Sequence, residues 1–251
     1  MGEFEVRSLK FRVQSLEDRG QRTEDKGSLL LNAKHIPAGT RNFETRNLEP
    51  RATNHEPRTT NHEPRTMKVT STEIEGVKII EPDVFGDARG WFCETYNDQR
   101  YRDAGIDNVF VQDNESFSSK GVVRGLHWQA APHTQAKLVR VIQGAVWDVV
   151  VDIRKGSPTY GRHVTATLTG ENRLQFYIPR GLAHGFIVLE DNTLFSYKCD
   201  NLYCPAADRG MRFDDPALEI KWPDIGVPLI LSAKDQKHPL LADIMPWEDE
   251  A

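Results

Sequence analysis

The stretch LVRVIQGAVWDVVVDI, residues 138–153, contains the pattern that determines the fold class. Two runs rich in β-branched residues, Leu138–Ile142 and Ala145–Ile153, are separated only by Gln143 and Gly144. Short runs of this composition with a glycine between them are typical of β-strands joined by a tight turn. The stretch therefore predicts two consecutive strands.

Similar short segments recur through the second part of the chain. Turns rich in Gly, Asn and Pro separate them, such as Lys155–Tyr160 and Thr169–Asn172. The other predicted strands are Val77–Ile80, Trp91–Tyr96, His163–Leu168, Leu174–Ile178, Phe186–Leu189 and Leu194–Lys198. One helix is predicted at Asp98–Ala104, with Asn97 as its N-cap and Gly105 just after its end. Many short strands with few helices predict an all-β sandwich or jelly-roll barrel, whose interior can hold a ligand.

Residues 1–66 differ in composition from the rest of the chain. RATNHEP at residues 51–57 is followed by RTTNHEP at residues 58–64, and such polar repeats bury too little apolar surface to fold. We expect a disordered extension, for which a weak interaction tail is the alternative interpretation. A single domain is predicted for residues 67–251, and Met67 is a candidate for the natural start of the protein.

Composition excludes several classes of protein. The net charge of -5 and the pI near 5.9 give no electrostatic reason to expect nucleic acid or an anionic membrane as a partner. The three cysteines lack paired C-x-x-C spacing, which argues against a disulfide framework and a structural zinc site. No apolar run approaches the roughly 20 residues of a membrane span, and no secretion signal is recognisable. These features predict a soluble, cytoplasmic protein.

The densest chemical pattern is GVVRGLHWQ at residues 121–129, followed by Lys137 and then by PRGLAHG at residues 179–185. These stretches resemble the paired motifs of the cupin superfamily. His127 and His184 stand where two metal ligands of a cupin would be. The resemblance implies a cupin-like jelly-roll β-barrel with a few short helices.

The departures from the cupin pattern argue against a metal cofactor. Gln129 replaces the second histidine of the first motif, and Lys137 occupies the place of its glutamate. A lysine ammonium donates hydrogen bonds and repels a divalent ion, so we expect neither a metal nor another cofactor. Imidazoles beside an arginine and a lysine suit an anionic substrate and proton transfer, although a lone histidine can also be structural.

From Met67 to the C-terminus the sequence resembles the dTDP-4-dehydrorhamnose 3,5-epimerases of rhamnose and polysaccharide biosynthesis. The matching stretches occur in order and at the family's spacing. They are Val84–Gly90 (VFGDARG), Phe110–Asn114 (FVQDN), Ser119–Gln129 (SKGVVRGLHWQ), Lys137–Arg140 (KLVR), Asp148–Tyr160 (DVVVDIRKGSPTY), Ile178–Phe186 (IPRGLAHGF), Tyr197-Lys198 and Leu231–Asp235 (LSAKD).

The resemblance implies a reaction and a role for each of four residues. The family converts dTDP-4-dehydro-6-deoxyglucose to dTDP-4-dehydrorhamnose by inverting C5 and C3, both beside the C4 ketone. His127 matches the base, and Asp235 matches the carboxylate that orients it. Tyr197 matches the acid that returns a proton from the opposite face, and Lys137 matches the residue at the enolate oxygen.

The resemblance also implies a set of contacts with the dTDP-linked 4-keto-6-deoxy sugar. These residues are Arg89, Glu94, Gln112, Asp113, Asn114, Arg124, Lys137, His184, Tyr203, Asp208 and Lys234. Asp208 stands where the family commonly has a glutamate, so the carboxylate is kept on a side chain that is shorter by one methylene. Asp148 and Asp152 are interpreted as structural, and Trp128 as a packing residue.

The resemblance further implies a homodimer. Two alternatives to the 3,5-epimerase remain at this stage. One is an enzyme that inverts a single carbon, or a ketoisomerase, acting on the same sugar nucleotide. The other is a non-catalytic sugar-nucleotide-binding or metal-binding cupin, against which the joint presence of His127, Tyr197 and Asp235 speaks.

Overall fold

The computed structural model describes residues 67–248. The predicted extension at residues 1–66 and residues 249–251 lie outside the described residues, so the boundary at Met67 stays a prediction. The strands are β1 (Lys68–Ser71), β2 (Lys78–Glu81), β3 (Val84–Asp87), β4 (Gly90–Cys93), β5 (Gln112–Ser118), β6 (Val123–Gln129), β7 (Lys137–Gln143), β8 (Ala145–Asp152), β9 (His163–Thr169), β10 (Gln175–Ile178), β11 (Leu182–Val188), β12 (Thr193–Cys199) and β13 (Asp208–Gly210).

Helical structure in this range is short. The α-helix α1 (Asp98–Asp103) begins at the predicted cap, where the side chain of Asn97 accepts a hydrogen bond from the backbone N–H of Arg100 at 3.2 Å. Single 3₁₀ turns occupy Pro205–Ala207, Pro216–Leu218, Asp235–Lys237 and Leu241–Asp243. Within residues 67–248 no helix has the length and hydrophobicity needed to cross a membrane.

The strands form two larger sheets and one hairpin. The six-stranded sheet has the order β1-β2-β10-β7-β12-β5, and the five-stranded sheet has the order β13-β6-β11-β8-β9. Strands β3 and β4 pair only with each other within the described part of the chain. The all-β, cupin-like jelly roll is confirmed. Its barrel is not closed by hydrogen bonds, because in residues 67–248 no strand ladder joins the two sheets.

An apolar core fills the space between the two sheets. Strand β9 shows the reason in its sequence, since Val164, Ala166 and Leu168 are buried while the residues between them are not. The six-stranded sheet contributes Val139, Phe176 and Phe195 to the same cluster, among others. Burying a side chain of this size contributes about 1.5–3 kcal/mol, so this cluster fixes how the sheets face each other.

The five-stranded sheet is covered on its outer face as well. There Leu126, Val149 and Ala183 pack against residues of the C-terminal segment, including Trp222 and Trp247. Burial on both faces explains why β8 and β11 are apolar along almost their whole length. The C-terminal segment is therefore held close to the site that this sheet carries.

Candidate active site

A cavity lies at the end of the core where polar side chains from both sheets face each other. It has two adjoining chambers, of about 250 Å³ and about 340 Å³. The first chamber is lined by Ser116, Arg124, His127, Lys137, His184, Phe186, Phe195, Tyr197, Ser232, Lys234 and Asp235. The second is lined by Gln112, Asn114, His127, Trp128, Gln129, Gln135, Lys137, Tyr197, Tyr203, Asp208 and Lys234. All four predicted catalytic residues line the first chamber.

The two histidines of the cavity are placed by neighbouring strands of the five-stranded sheet. His127 on β6 is the register partner of His184 on β11. Next to this pair the strands approach closely, because a Cβ on Gly125 would lie only 2.5 Å from the Cα of Gly185. Glycine is required at such a contact. The glycines that flank the motif histidines therefore have a structural role in bringing the two strands together.

His127 is oriented by a buried carboxylate. Its Nε2 atom lies 2.6 Å from Oδ1 of Asp235, and the Asp235 side chain is 3% exposed. Asp235 is itself fixed, since its backbone N–H donates to Oγ of Ser232 at 3.0 Å. Burial raises the pKa of the Asp235 carboxyl, but the hydrogen bond and the charge of His127 outweigh it and hold the pKa below its usual value. An ionised Asp235 keeps the proton on Nε2, which leaves the lone pair of His127 on Nδ1.

A second imidazole packs beside this pair. The rings of His238 and His127 meet edge to face with centroids 5.5 Å apart. Nε2 of His238 lies 3.4 Å from Oδ1 of Asp235. Burial, followed by the charge of His127, lowers the pKa of His238. No sequence motif singled out this residue.

Tyr197 and Lys137 face the cavity from the other sheet. Tyr197 lies on β12 and Lys137 begins β7, whereas His127 lies on β6 of the opposite sheet. Burial raises the pKa of the Tyr197 hydroxyl, which keeps it protonated at neutral pH. Burial lowers the pKa of the Lys137 ammonium, and the nearby Cys199 and Asp208 oppose that shift. The predicted base His127 and the predicted acid Tyr197 thus stand on opposite walls.

His184 is held by a buried carboxylate that the sequence interpretation treated as structural. Its Nε2 atom lies 2.9 Å from both oxygens of Asp148, which is fully buried on β8. Burial raises the pKa of Asp148, and the charge and hydrogen bond of His184 oppose it. Asp148 is therefore a positioning residue for His184. Its apolar neighbours on β8 gave the only available signal, since a carboxylate in such a strand needs a partner.

Polar side chains line the second chamber. Gln112 and Asn114 lie two positions apart on the same face of β5, and the amide of Gln112 donates to Oδ1 of Asn114 at 3.0 Å. The hydroxyl of Tyr203 donates to Oδ2 of Asp208 at 3.0 Å, and Lys234 pairs with the same carboxylate. Asp208 thus binds two other predicted contact residues, and these hydrogen bonds hold its pKa below the usual value against the effect of burial.

Three predicted contact residues do not line either chamber. Arg89 lies at the end of the β3–β4 hairpin and binds Asp87. Glu94 accepts hydrogen bonds from Arg100 at 3.0 Å and from Asn97 at 3.3 Å, beside helix α1. Asp113 points to the opposite face of β5 from Gln112 and Asn114, where Lys198 binds it at 2.9 Å. These three residues do not approach His127 within the single chain.

The cupin metal positions are engaged in other contacts. The side-chain oxygen of Gln129 accepts a hydrogen bond from the backbone N–H of Cys204 at 2.9 Å. His184 is bound to Asp148 rather than to a shared centre with His127. Lys137 adds an amino group to the same chamber from the opposite sheet. These side chains therefore do not fit the metal of a cupin, for the same chemical reason that the sequence indicates: an amide and an ammonium replace two of the metal ligands.

Comparisons with known proteins point to one family. The family model for dTDP-4-dehydrorhamnose 3,5-epimerase matches residues 71–243. An enzyme of that name from Shigella flexneri is 51% identical over 170 residues, which are 67% of this chain and 93% of the relative. One from Methanothermobacter thermautotrophicus is 49% identical over 166 residues, which are 66% of this chain and 89% of the relative.

A solved structure gives the same result. The crystal structure of dTDP-6-deoxy-D-glucose-3,5-epimerase from Legionella pneumophila, in complex with dTDP-4-keto-L-rhamnose, matches with a TM-score of 0.70 and 47% identity. The match covers 73% of this chain and 100% of that one. The similarity therefore extends over the fold that carries the cavity.

Proposed function

The chain belongs to the dTDP-4-dehydrorhamnose 3,5-epimerase family and is an isomerase, and we propose that its cavity inverts C3 and C5 of dTDP-4-dehydro-6-deoxyglucose. The observation that supports this reaction best is the placement of His127 and Tyr197 on facing sheets of one chamber. Inversion needs a base on one side of a carbon and an acid on the other. This arrangement supplies both.

His127 removes the proton in the first half of the reaction. The C–H bonds at C5 and C3 are acidic because each lies beside the C4 ketone. Nδ1 of His127 takes the proton, and the electron pair of the broken C–H bond moves into an enolate with its charge on the C4 oxygen. Asp235 stabilises the imidazolium that forms, through the hydrogen bond at Nε2. The ammonium group of Lys137 is placed to donate to the enolate oxygen.

Tyr197 returns a proton in the second half. Its hydroxyl donates to the opposite face of the planar enolate carbon, the C4 carbonyl re-forms, and the configuration is inverted. The raised pKa of Tyr197 suits this role, because the group must reach the enolate still protonated. The same two proton transfers then take place at the other carbon, after Tyr197 has recovered a proton from solvent and His127 has released to solvent the proton that it took from the sugar.

The second chamber suits the nucleotide part of the substrate. Lys234 lines both chambers, and Arg124 lines the first beside His127. Cations at this junction suit the diphosphate between the sugar and the nucleoside. The amides of Gln112 and Asn114 and the ring of Tyr203 line the second chamber and suit contacts with the nucleoside. We propose that Arg124, His184 and Lys234 contact the sugar diphosphate.

We also propose a homodimer that acts in the cytoplasm. The β3–β4 hairpin exposes 54% of Phe85, 60% of Trp91 and 68% of Phe92, a concentration of apolar surface that suits a second copy of the chain. Arg89 lies between these residues and does not line its own chamber, so a contact with substrate requires that it act across the interface. The free thiols of Cys93, Cys199 and Cys204 suit a reducing compartment.

Proton NMR in deuterated buffer tests the function. We expect solvent deuterium at both C3 and C5 of the recovered sugar, and a product that a partner reductase converts to dTDP-rhamnose. The His127→Asn variant provides the control and should exchange neither position measurably. Exchange at only one carbon would contradict the 3,5-epimerase and support a mono-epimerase. Absence of exchange at both carbons would support a binding protein.

A further inference from the structure

Three metal-ligating side chains meet on the side of His127 that faces away from its proposed substrate. They are His127, Asp235 and His238, and their donor atoms all lie within 4.8 Å of one another. Asp235 Oδ1 lies between the two rings, 2.6 Å from His127 Nε2 and 3.4 Å from His238 Nε2. Within residues 67–248 these three residues form a group of His, Cys, Asp or Glu side chains that are spaced closely enough to share a metal ion.

The Nε2 atom of His238 is available as a ligand. The side chain is 10% exposed, and among the described residues Nε2 makes no hydrogen bond of good geometry, its neighbour Asp235 Oδ1 lying 3.4 Å away. A buried polar nitrogen without a partner costs free energy, which a ligand can recover. The position is also specifically accommodated, because a Cβ on Gly210 would collide with the His238 ring, and Gly210 is the register partner of His127.

We propose that His127, Asp235 and His238 form a binding site for Zn²⁺ that competes with catalysis. Two imidazoles and one carboxylate are a common ligand set for zinc with an open fourth position. In a tetrahedral zinc site the donor atoms are separated by about 3.3 Å. The Asp235–His238 distance already fits, and the Asp235–His127 distance must open by roughly 0.7 Å.

This site differs from the metal position of a cupin. A cupin metal would use His127 and His184 inside the first chamber, where Lys137 stands. The proposed site instead combines His127 with Asp235 and His238, which both follow β13, and it lies on the Nε2 side of His127. Lys234 is the nearest opposing charge on this segment, and its pairing with Asp208 reduces that opposition.

Zinc binding would switch the enzyme off. The metal takes the lone pair of Nε2 on His127, and the proton that Nε2 carried moves by way of solvent to Nδ1, so the imidazole stays neutral. A zinc-bound imidazole with its proton on Nδ1 has no lone pair with which to remove a proton from the sugar. This consequence rests on the proposed function of His127, whereas the binding of the metal does not.

Metal titration of the full-length protein tests the site without substrate. Chelator-treated protein is titrated with Zn²⁺ against a chromophoric chelator, and with Co²⁺ while its visible absorption is followed. We expect one tight equivalent in the wild type. In His238→Asn, that equivalent should bind at least about tenfold more weakly and the Co²⁺ absorption should decrease. His238→Phe preserves a ring at this position and should give the same loss.

Two control variants separate this site from other histidines. His163→Asn changes a histidine on β9 outside both chambers and should keep the tight equivalent. The double variant His55→Asn/His62→Asn removes the histidines of the two sequence repeats and should keep it as well. Equal binding by the wild type and both His238 variants would overturn the proposal. So would loss of the tight equivalent in the repeat variant.

The activity readout is made separately. Micromolar Zn²⁺ should inhibit wild-type epimerisation, and a chelator should restore it, while each His238 variant should need at least about tenfold more Zn²⁺ relative to its own metal-free rate. Tight binding without inhibition would overturn the competition with catalysis and leave the site itself established. An inactive wild type that still binds Zn²⁺ would contradict the epimerase and not the metal site.

Discussion

Nε2 of His127 and Oδ1 of Asp235 lie 2.6 Å apart, although the two residues are separated by 108 positions in the sequence. The contact joins a strand of the five-stranded sheet to a short 3₁₀ turn near the C-terminus. Because the carboxylate engages Nε2, Nδ1 is the nitrogen left for the proposed role of base. The tautomer of His127 therefore depends on a residue from a distant part of the sequence.

Replacing Asp235 by asparagine tests this dependence. An amide does not hold the proton on Nε2 as a carboxylate does, so the tautomer of His127 is no longer fixed. The negative charge that stabilises the protonated imidazole is lost as well. We expect kcat to fall on the order of 100- to 10,000-fold with a smaller change in KM. The coupled reductase assay measures both constants.

Ser232→Ala provides the matched control for Asp235→Asn. It removes the hydroxyl that accepts from the Asp235 backbone but keeps the carboxylate. We expect a decrease in kcat of less than about tenfold, since only the position of Asp235 is loosened. Equal activity of Asp235→Asn and the wild type would contradict the role of Asp235.

Replacing Tyr197 by phenylalanine separates the two halves of the reaction. The base can still remove the C5 proton, but no acid remains on the opposite wall. We expect product formation to fall at least about 100-fold, while deuterium exchange at C5 falls much less. NMR in deuterated buffer follows both rates. Tyr203→Phe, the same change in the second chamber, should retain the ratio of the two rates, and an unchanged ratio in Tyr197→Phe would contradict the assignment.

The strands with mostly apolar sequences, such as β7, β8 and β12, were predictable from sequence, whereas the polar strand β5 of the cavity wall was not. Segments Leu138–Ile142 and Ala145–Ile153 became β7 and β8 with shifts of one residue at their ends, because their β-branched side chains are buried. Strand β5 reads QDNESFS and was not predicted. Its cavity-facing positions are polar because they serve the site, and Asn and Ser carry little strand propensity.

The site could be predicted only in part, for a related reason. The family motifs supplied His127, Lys137, Tyr197 and Asp235, and the structure brings these residues to one chamber. Spacing along the chain contains no information about the contact between His127 and Asp235, or about the packing of His238 on Gly210. Those relationships depend on how the C-terminal segment returns to the five-stranded sheet.

Ser116 offers a test of contact with substrate. Its hydroxyl lines the first chamber and is buried without a hydrogen-bond partner among residues 67–248. Removing an unsatisfied buried hydroxyl should not reduce the free energy of unfolding. We expect Ser116→Ala to keep its Tm while kcat/KM falls about fivefold or more, as for one lost hydrogen bond to the sugar. Ser118→Ala, two positions along β5, should reduce kcat/KM less. An unchanged kcat/KM in Ser116→Ala would contradict a contact with substrate.

Asp152 predicts a pH dependence of stability. It is fully buried and accepts hydrogen bonds from Arg154, Ser157 and Thr159, which outweigh the effect of burial and lower its pKa to about 2. A pKa lower in the folded state stabilises the fold above the unfolded pKa, and the contribution is lost as the pH falls through the folded pKa. We expect about 2 kcal/mol at neutral pH, lost between about pH 4 and pH 2.

Urea unfolding of Asp152→Asn and the wild type at several pH values measures this contribution. The difference in free energy of unfolding should be constant above about pH 5 and should shrink at lower pH. Asp214→Asn removes a carboxylate that pairs with Arg212 at a site 43% exposed, so its difference should be small at every pH. A difference for Asp152→Asn that does not vary with pH would contradict the linkage.

The exposed hairpin predicts that the site needs a second copy of the chain. Trp91→Ser and Phe92→Ser together remove apolar surface from the β3–β4 hairpin without touching either chamber. We expect this variant to sediment as a monomer in analytical ultracentrifugation. Arg89→Ala should remain dimeric and raise KM several-fold, because we expect Arg89 of one subunit to act in the chamber of the other.

Mixing Arg89→Ala with His127→Asn should form hybrid dimers in which one chamber has both an intact His127 and a native Arg89. Recovery of a wild-type KM in part of the mixture would support the exchange, whereas a monomeric wild type would contradict it.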